Sequence, residues 1–187
     1  NYGQRSQTRY DHSTAVQEMY GYRKFDPDHD EFKTWLADAA EQARSNEALA
    51  IAIILKLRSL KIILPAPTRL ERLCADELVS AENRITNRIA KRLCSESRSR
   101  LNNLLGTHVN KTMTTFVWLR QHEVGNNSRV INDLLDRLEL INELNISADC
   151  LIDIPLHRIA RLRRQGERYF ADGMRDLSEN RRMAILA

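Results

Sequence analysis

Glycine and proline are scarce, six and four in 187 residues. That leaves little material for hairpin turns, and a chain dominated by leucine, alanine, arginine, glutamate and isoleucine favours helices. The three cysteines, Cys74, Cys94 and Cys150, stand far apart with no C-x-x-C pair. Neither a metal finger nor a disulfide scaffold fits that spacing, and isolated thiols fit a reducing cytoplasm. The longest apolar run, Ala48 to Leu55, stops at Lys56 and is far too short to cross a bilayer, so no membrane partner is expected. Phosphate-loop, dinucleotide, H-E-x-x-H and G-x-S-x-G patterns are all missing, and no two of the five histidines stand four apart. No catalytic residue, metal or cofactor is therefore expected in this chain. There is no signal-peptide pattern and no opening Met, and the sequence stops on the apolar run Met183–Ala187. It is expected to be a piece of a longer cytoplasmic protein.

Hydrophobic residues make up 42%, enough for a real core. The 29 basic residues outnumber 25 acids, for a net charge of +4 and a pI near 9.1, and the bases are chiefly arginine. A charge of that size fits many soluble proteins. Arginine, with its planar fork, tilts the balance slightly towards a nucleic-acid partner.

Periodicity lays out an all-α, multi-helix bundle with helix-turn-helix-like modules. A short helix over Ser13–Tyr20 ends at Gly21, and a second follows Asp26-Pro27-Asp28 with Phe32, Trp35, Leu36 and Ala39 at helical spacing. Ser45 or Asn46 caps a third whose Leu49–Leu57 stretch is apolar all round, which predicts a helix in the middle of the core. Thr68 with Glu71 forms a capping box for the longest helix, striped by Leu70, Leu73, Cys74, Leu78, Ala81, Ile85, Ile89 and Leu93. A short helix runs to Gly106, and Thr114–Leu119 reads as a packed connector or helical turn. Ser128 caps a helix carrying Val130, Ile131, Leu134, Leu135, Leu138 and Ile141. Pro155 opens another that Gly166 stops, and a last begins near Ser178. The chain reads as a single helical region, 1–187, with 1–106 and 115–187 as candidate sub-modules.

Two cationic stretches stand out. In Leu156–Arg168, Leu156, Ile159 and Leu162 predict a buried stripe, with Arg158, Arg161, Arg164 and Arg168 along a neighbouring face. That row suits a helix lying along DNA, or else a solvated face pairing with acids of another helix. The passage from Asn46 through Ile62-Ile63-Leu64-Pro65 to Thr68-Arg69-Leu70-Glu71-Arg72 reads as a helix–turn–helix with Arg69 and Arg72 leading its second helix, or as an ordinary helical hairpin. Asp133, Asp136 and Glu139, with Arg129 and Arg137 nearby, read as solvated ion pairs on an exposed face.

The start of the chain interleaves cations with rings: Tyr2-Gly3-Gln4-Arg5, Thr8-Arg9, His12 and Gly21-Tyr22-Arg23-Lys24-Phe25. Such a segment suits a polyanion with stackable bases, or a packed arm stapled by Tyr20, Tyr22 and Phe25. It resembles the Y-x-x-R-x-x-T-R-x-x-H … G-Y-R-x-F block of the large replicative transposases of class-II bacterial transposons, the Tn-three type. The resemblance continues through Leu57-Arg58 … Lys61-Ile62-Ile63-Leu64-Pro65, Leu70-Glu71-Arg72-Leu73, Trp118-Leu119-Arg120, Arg137-Leu138-Glu139-Leu140-Ile141 and Ile154-Pro155 … Arg158 … Gly166 … Arg181-Arg182. One departure is Ala66, where the family usually has Gly.

The resemblance implies a helical part of a transposase that recognises terminal inverted repeats, with the metal-dependent Asp-Asp-Glu nuclease outside this chain. Its implied partners are double-stranded DNA and the remainder of the transposase with its catalytic domain, and a homo-oligomer is a further candidate. Arg5, Arg9 and Arg23 are the expected arm contacts, Arg69 and Arg72 those of a first module, and Arg161, Arg164 and Arg168 those of a second. The competing expectation is a helical scaffold or dimerisation module without DNA contact, acting through leucine stripes of the Thr68 and Ser128 helices.

Overall fold

The computed structural model describes residues 11–187 apart from 13, 107, 111–112, 122–124 and 126. The described residues form two compact units, one ending at Ala81 and one running from Glu82 to Ala187. The fold is all-α; the described strands are a single short antiparallel pair. Among the described residues no helix is long and apolar enough to cross a membrane.

In the first unit, residues 11, 12 and 14–20 are helical (α1), and α2 spans Asp30–Gln42. Asp30 and Glu31 occupy the first turn of α2, where carboxylates complement the helix dipole. α3 spans Asn46–Ser59, with the Ser45 hydroxyl accepting from Ala48 N at 3.2 Å. α4 runs from Pro67 to Arg92, so the unit boundary falls inside a continuous helix. It begins one residue before Thr68, with Pro67 at the first helical position, where a missing N–H loses nothing. The core gathers Phe32, Leu36 and Ala40 of α2, Leu49, Ile53 and Leu57 of α3, and Cys74 and Ala81 of α4. α3 is not enclosed, contrary to its sequence. Ile51 and Leu55 lie on its outer side, 59% and 60% exposed, because α3 packs along one face only.

The second unit takes the rest of α4, then α5 (Ser95–Gly106), β1 (His108–Asn110), β2 (Met113–Thr114), α6 (Thr115–Leu119) and α7 (Ser128–Leu144). A 3-10 turn at Ala148–Leu151 leads to α8 (Leu156–Arg168), α9 (Ala171–Arg175) and α10 (Glu179–Leu186). Thr115–Leu119 is the expected helical turn, capped by the Thr114 hydroxyl. Its core joins Ile85 and Ile89 of α4, Leu101 and Leu105 of α5, Leu162 of α8, and Met174 and Met183 beyond it. The α4 stripe, which the competing scaffold expectation would need at the surface, is core: Cys74, Ala81, Ile85, Ile89 and Leu93 are all buried.

Arginines close many helix ends in this unit. A helix leaves its last carbonyls without intrahelical partners, and cationic donors suit that negative pole. Arg98 donates to Ala90 O of α4, Arg175 to Leu105 O of α5, and Arg100 to Glu143 O of α7. Arg120 donates to Glu167 O of α8 and, at 2.6 Å, to Tyr169 O just beyond it.

Gly166 does not stop its helix. α8 continues to Arg168, and Gly166 is buried against α10, where an added Cβ would sit 3.0 Å from Ile185 Cγ2. The residue marks a close approach rather than a terminus. Gly166→Val should therefore lower unfolding stability by about 1–3 kcal/mol, and Ile185→Ala in the same chain should recover part of it, read in denaturant melts. A Gly166→Val chain as stable as the parent would contradict this packing.

The thiols divide by environment. Burial pushes Cys74 and Cys150 up, while the Ser97 hydroxyl and backbone N–H hold exposed Cys94 below the usual thiol range. A lowered pKa raises the thiolate fraction at a given pH. Near pH 8, iodoacetamide should modify Cys94 first, and Cys74 and Cys150 only on unfolding; mass spectrometry resolves the order, and equal rates would refute it.

Candidate nucleic-acid interface

In the first unit the segment after α1 is fixed against the turn between α3 and α4. Gly21, at φ +70, ends α1 with Tyr22 N donating to Gln17 O and Gly21 N to Glu18 O, a glycine-centred helix stop. The chain then lies beside residues 61–63: Arg23 N donates to Lys61 O at 2.9 Å, and Ile63 N donates to Arg23 O at 2.9 Å. Arg23 is exposed, with its guanidinium 3.5 Å from Leu60 O.

Lys61 occupies the same kind of helix stop as Gly21 but without glycine. Ile62 N donates to Leu57 O and Lys61 N to Arg58 O, with Lys61 at φ 51. A left-handed lysine carries strain of about 1–2 kcal/mol. Lys61 is exposed, its amine 3.5 Å from Tyr20 O, and Arg58 beside it is exposed too. The fold thus puts Lys61 next to Arg23. Arg69 and Arg72 are exposed in the first turns of α4, and the Arg69 guanidinium stacks 5.4 Å from the Phe25 ring centroid. That stacking orients one face and leaves the guanidinium edge open. Arg5 and Arg9 lie outside the described residues.

The arginine row of α8 in the second unit is divided. Arg158 is buried at 4% exposure, with Leu162 and Gly166 on the inward face, whereas Leu156 is 83% exposed. The expected apolar stripe is therefore rotated, because the close approach at Gly166 decides which side faces α10. Arg161, Arg164 and Arg168 do share an exposed face, at i, i+3 and i+7. Arg161 is engaged by Glu82, at 3.3 Å, which also accepts from Arg181 at 2.9 Å and from Gln165 at 3.1 Å. Arg164 Nε donates to Ala160 O within its own helix. Arg168 is exposed, and Arg163 pairs with Glu167. Among the described residues, no carboxylate pairs with the guanidinium of Arg164 or Arg168 in this row.

Residues 1–76 match a family model described as Domain of unknown function (DUF4158). The chain is 31% identical over 186 residues to the transposase for transposon Tn21 of Escherichia coli, covering 99% of this chain and 19% of that protein. The transposase for transposon Tn3926, also of E. coli, is 31% identical over the same length, with the same coverage. The transposase for transposon Tn1546 of Enterococcus faecium is 28% identical over 191 residues, covering 100% of this chain and 19% of the relative. The chain is a homologue of the N-terminal part of these transposases. It spans about a fifth of the length of the curated relatives that it matches.

Sequence reasoning missed Lys61 as a neighbour of Arg23, since only the backbone pairing of residues 23 and 62 brings them together. A hint was present: a helix end followed by lysine where glycine is usual. Strain of this kind persists where the surrounding structure overdetermines it, and it clusters at functional positions. Lys61→Gly should raise stability by about 0.5–1 kcal/mol through relief of the left-handed strain, net of glycine's own entropy loss. Thermal melts check the sign, and a destabilised variant would overturn the assignment of strain to Lys61.

Proposed function

We propose that this chain is the DNA-recognition part of a transposase and binds the terminal inverted repeats of its transposon. The cleaving and joining chemistry then belongs to the part of the transposase outside this chain. The observation that carries this reading is the homology to transposases along 99% of the chain. The exposed cations of each unit supply the contacts: Arg23, Lys61, Arg69 and Arg72 in the first, Arg164 and Arg168 in the second. Most would hold phosphates, which with sugars take about half to two-thirds of protein–DNA hydrogen bonds. α3 and α4, joined through residues 60–66, act as the helix-turn-helix-like module with Arg69 and Arg72 at its leading edge. Arg161 contributes less than the sequence suggests, because Glu82 already holds it.

A second reading, a helical scaffold or dimerisation module without DNA contact, is favoured by the row of exposed aliphatic side chains on α7. Salt separates the two. Binding of the folded chain to an inverted-repeat duplex should weaken steeply with salt and exceed binding to a scrambled duplex. Replacing Arg164 and Arg168 together by Ala should weaken binding by about 10-fold or more while leaving the thermal melt in place, because two charge-assisted phosphate contacts are lost at exposed positions. Equal binding to both duplexes would overturn recognition of the repeat, and an unchanged affinity in the double variant would remove α8 from the interface.

A further inference from the structure

α7 faces the wrong way for a helix that only needs to complete its own unit. Ile131, Leu134, Leu135, Leu138 and Ile141 are between 45% and 57% exposed, while its buried positions are Val130, Arg137 and Leu144. Hiding an arginine while five aliphatic side chains meet water runs against the usual order, since a buried charge is costly unless paired.

The pairing explains the orientation. Arg137 meets Asp133 at 2.5 Å, donates to Gln121 O and lies 5.4 Å from the Trp118 ring centroid; Trp118 Nε1 donates to Asp133 Oδ1 at 2.8 Å. Both helix ends are fixed as well. The Asn127 side chain accepts from Val130 N at 3.0 Å, and Asn145 closes the C-terminus at φ 49. Rolling α7 to bury its aliphatic side chains would break this cluster, so the outward stripe is built into the unit.

The five exposed residues fall at i, i+3, i+4, i+7 and i+10, a continuous seam about 15 Å long at the helical rise. One edge of the seam turns into the unit through Val130, Arg137 and Leu144. The other is open and mainly acidic, with exposed Asp136, Glu139 and Glu143. This edge repels a DNA backbone, and a second copy of the same seam would bring acids against acids. It complements a cationic partner.

We propose that the α7 seam docks an amphipathic protein helix whose leucine or isoleucine stripe is flanked by lysine or arginine. The stripe fills the row from Ile131 to Ile141, and the basic flank meets Asp136, Glu139 and Glu143.

The test uses the whole 187-residue chain and two labelled synthetic helical peptides with leucines at i, i+3, i+7 and i+10. One carries lysines along one flank and the other glutamates. Fluorescence anisotropy should show the lysine peptide binding at least about 10-fold more tightly, with the advantage shrinking as salt rises. Leu134→Gln with Leu138→Gln should abolish binding of both without moving the melt. Asp136→Lys with Glu139→Lys should reverse the preference. Equal binding of the two peptides, binding of neither, or a dimer in sedimentation that Leu138→Gln dissolves would each overturn the proposal.

Discussion

The carbonyl oxygens at helix C-termini, and the arginines that reach them, organise the second unit. Ala90, Leu105, Glu143 and Glu167 each lie in the last turn of a different helix, and each carbonyl accepts from a guanidinium that belongs elsewhere in the chain. Arg92 does the same for Cys150 O and Ile152 O at the 3-10 turn. A delocalised fork offers several donors at little cost per bond once placed, and its charge opposes the dipole of the helix it closes. Helices of only five to eight residues, such as α6, α9 and α10, are too short to hold themselves by propagation. Tertiary ties of this kind, together with the Met174 and Met183 core, keep them in place.

This constraint sorts the arginines. Those at helix ends, and Arg161 and Arg181 around Glu82, are engaged in holding the unit together. Exposed cations outside these ties include Arg164 and Arg168 in one unit and Arg23, Arg69 and Arg72, joined by Lys61, in the other, and these are the ones proposed to meet DNA. The same sorting sets the face of α7. Once Arg137 is drawn inward to Asp133, the aliphatic side of that helix is committed to the outside.

The sequence made the helices legible and their rotations much less so. Phe32 and Leu36 of α2 face inward as their spacing implies, with Trp35 and Ala39 partly buried beside them, and Ser45 caps α3. Rotation failed where a charged residue took a buried place or a glycine set a contact. Arg158 and Arg137 read as surface residues because arginine is rarely buried; the spacing of Asp133 and Arg137 announces their ion pair but not its burial. Gly166 read as a stop because glycine most often ends helices; its role depends on Ile185, distant in the chain. The apolar run of α3 suggested full enclosure, but of it only Leu49, Ile53 and Leu57 are fully buried. The short β1–β2 pair left no signal in a segment with few residues per strand. For the candidate interface, residue types pointed to the exposed arginines of α4 and α8. The Arg23–Lys61 neighbourhood required the backbone bridge between residues 23 and 62.

Hydroxyl-radical footprinting on a duplex that ends in a terminal inverted repeat of a Tn21-type transposon tests the account at its centre. Cationic faces that grip the backbone should shield sugars within the repeat and leave the flanking sequence cut as in free DNA. Uniform cutting across repeat and flank, at concentrations where the chain is folded, would contradict the assignment of this chain to DNA recognition.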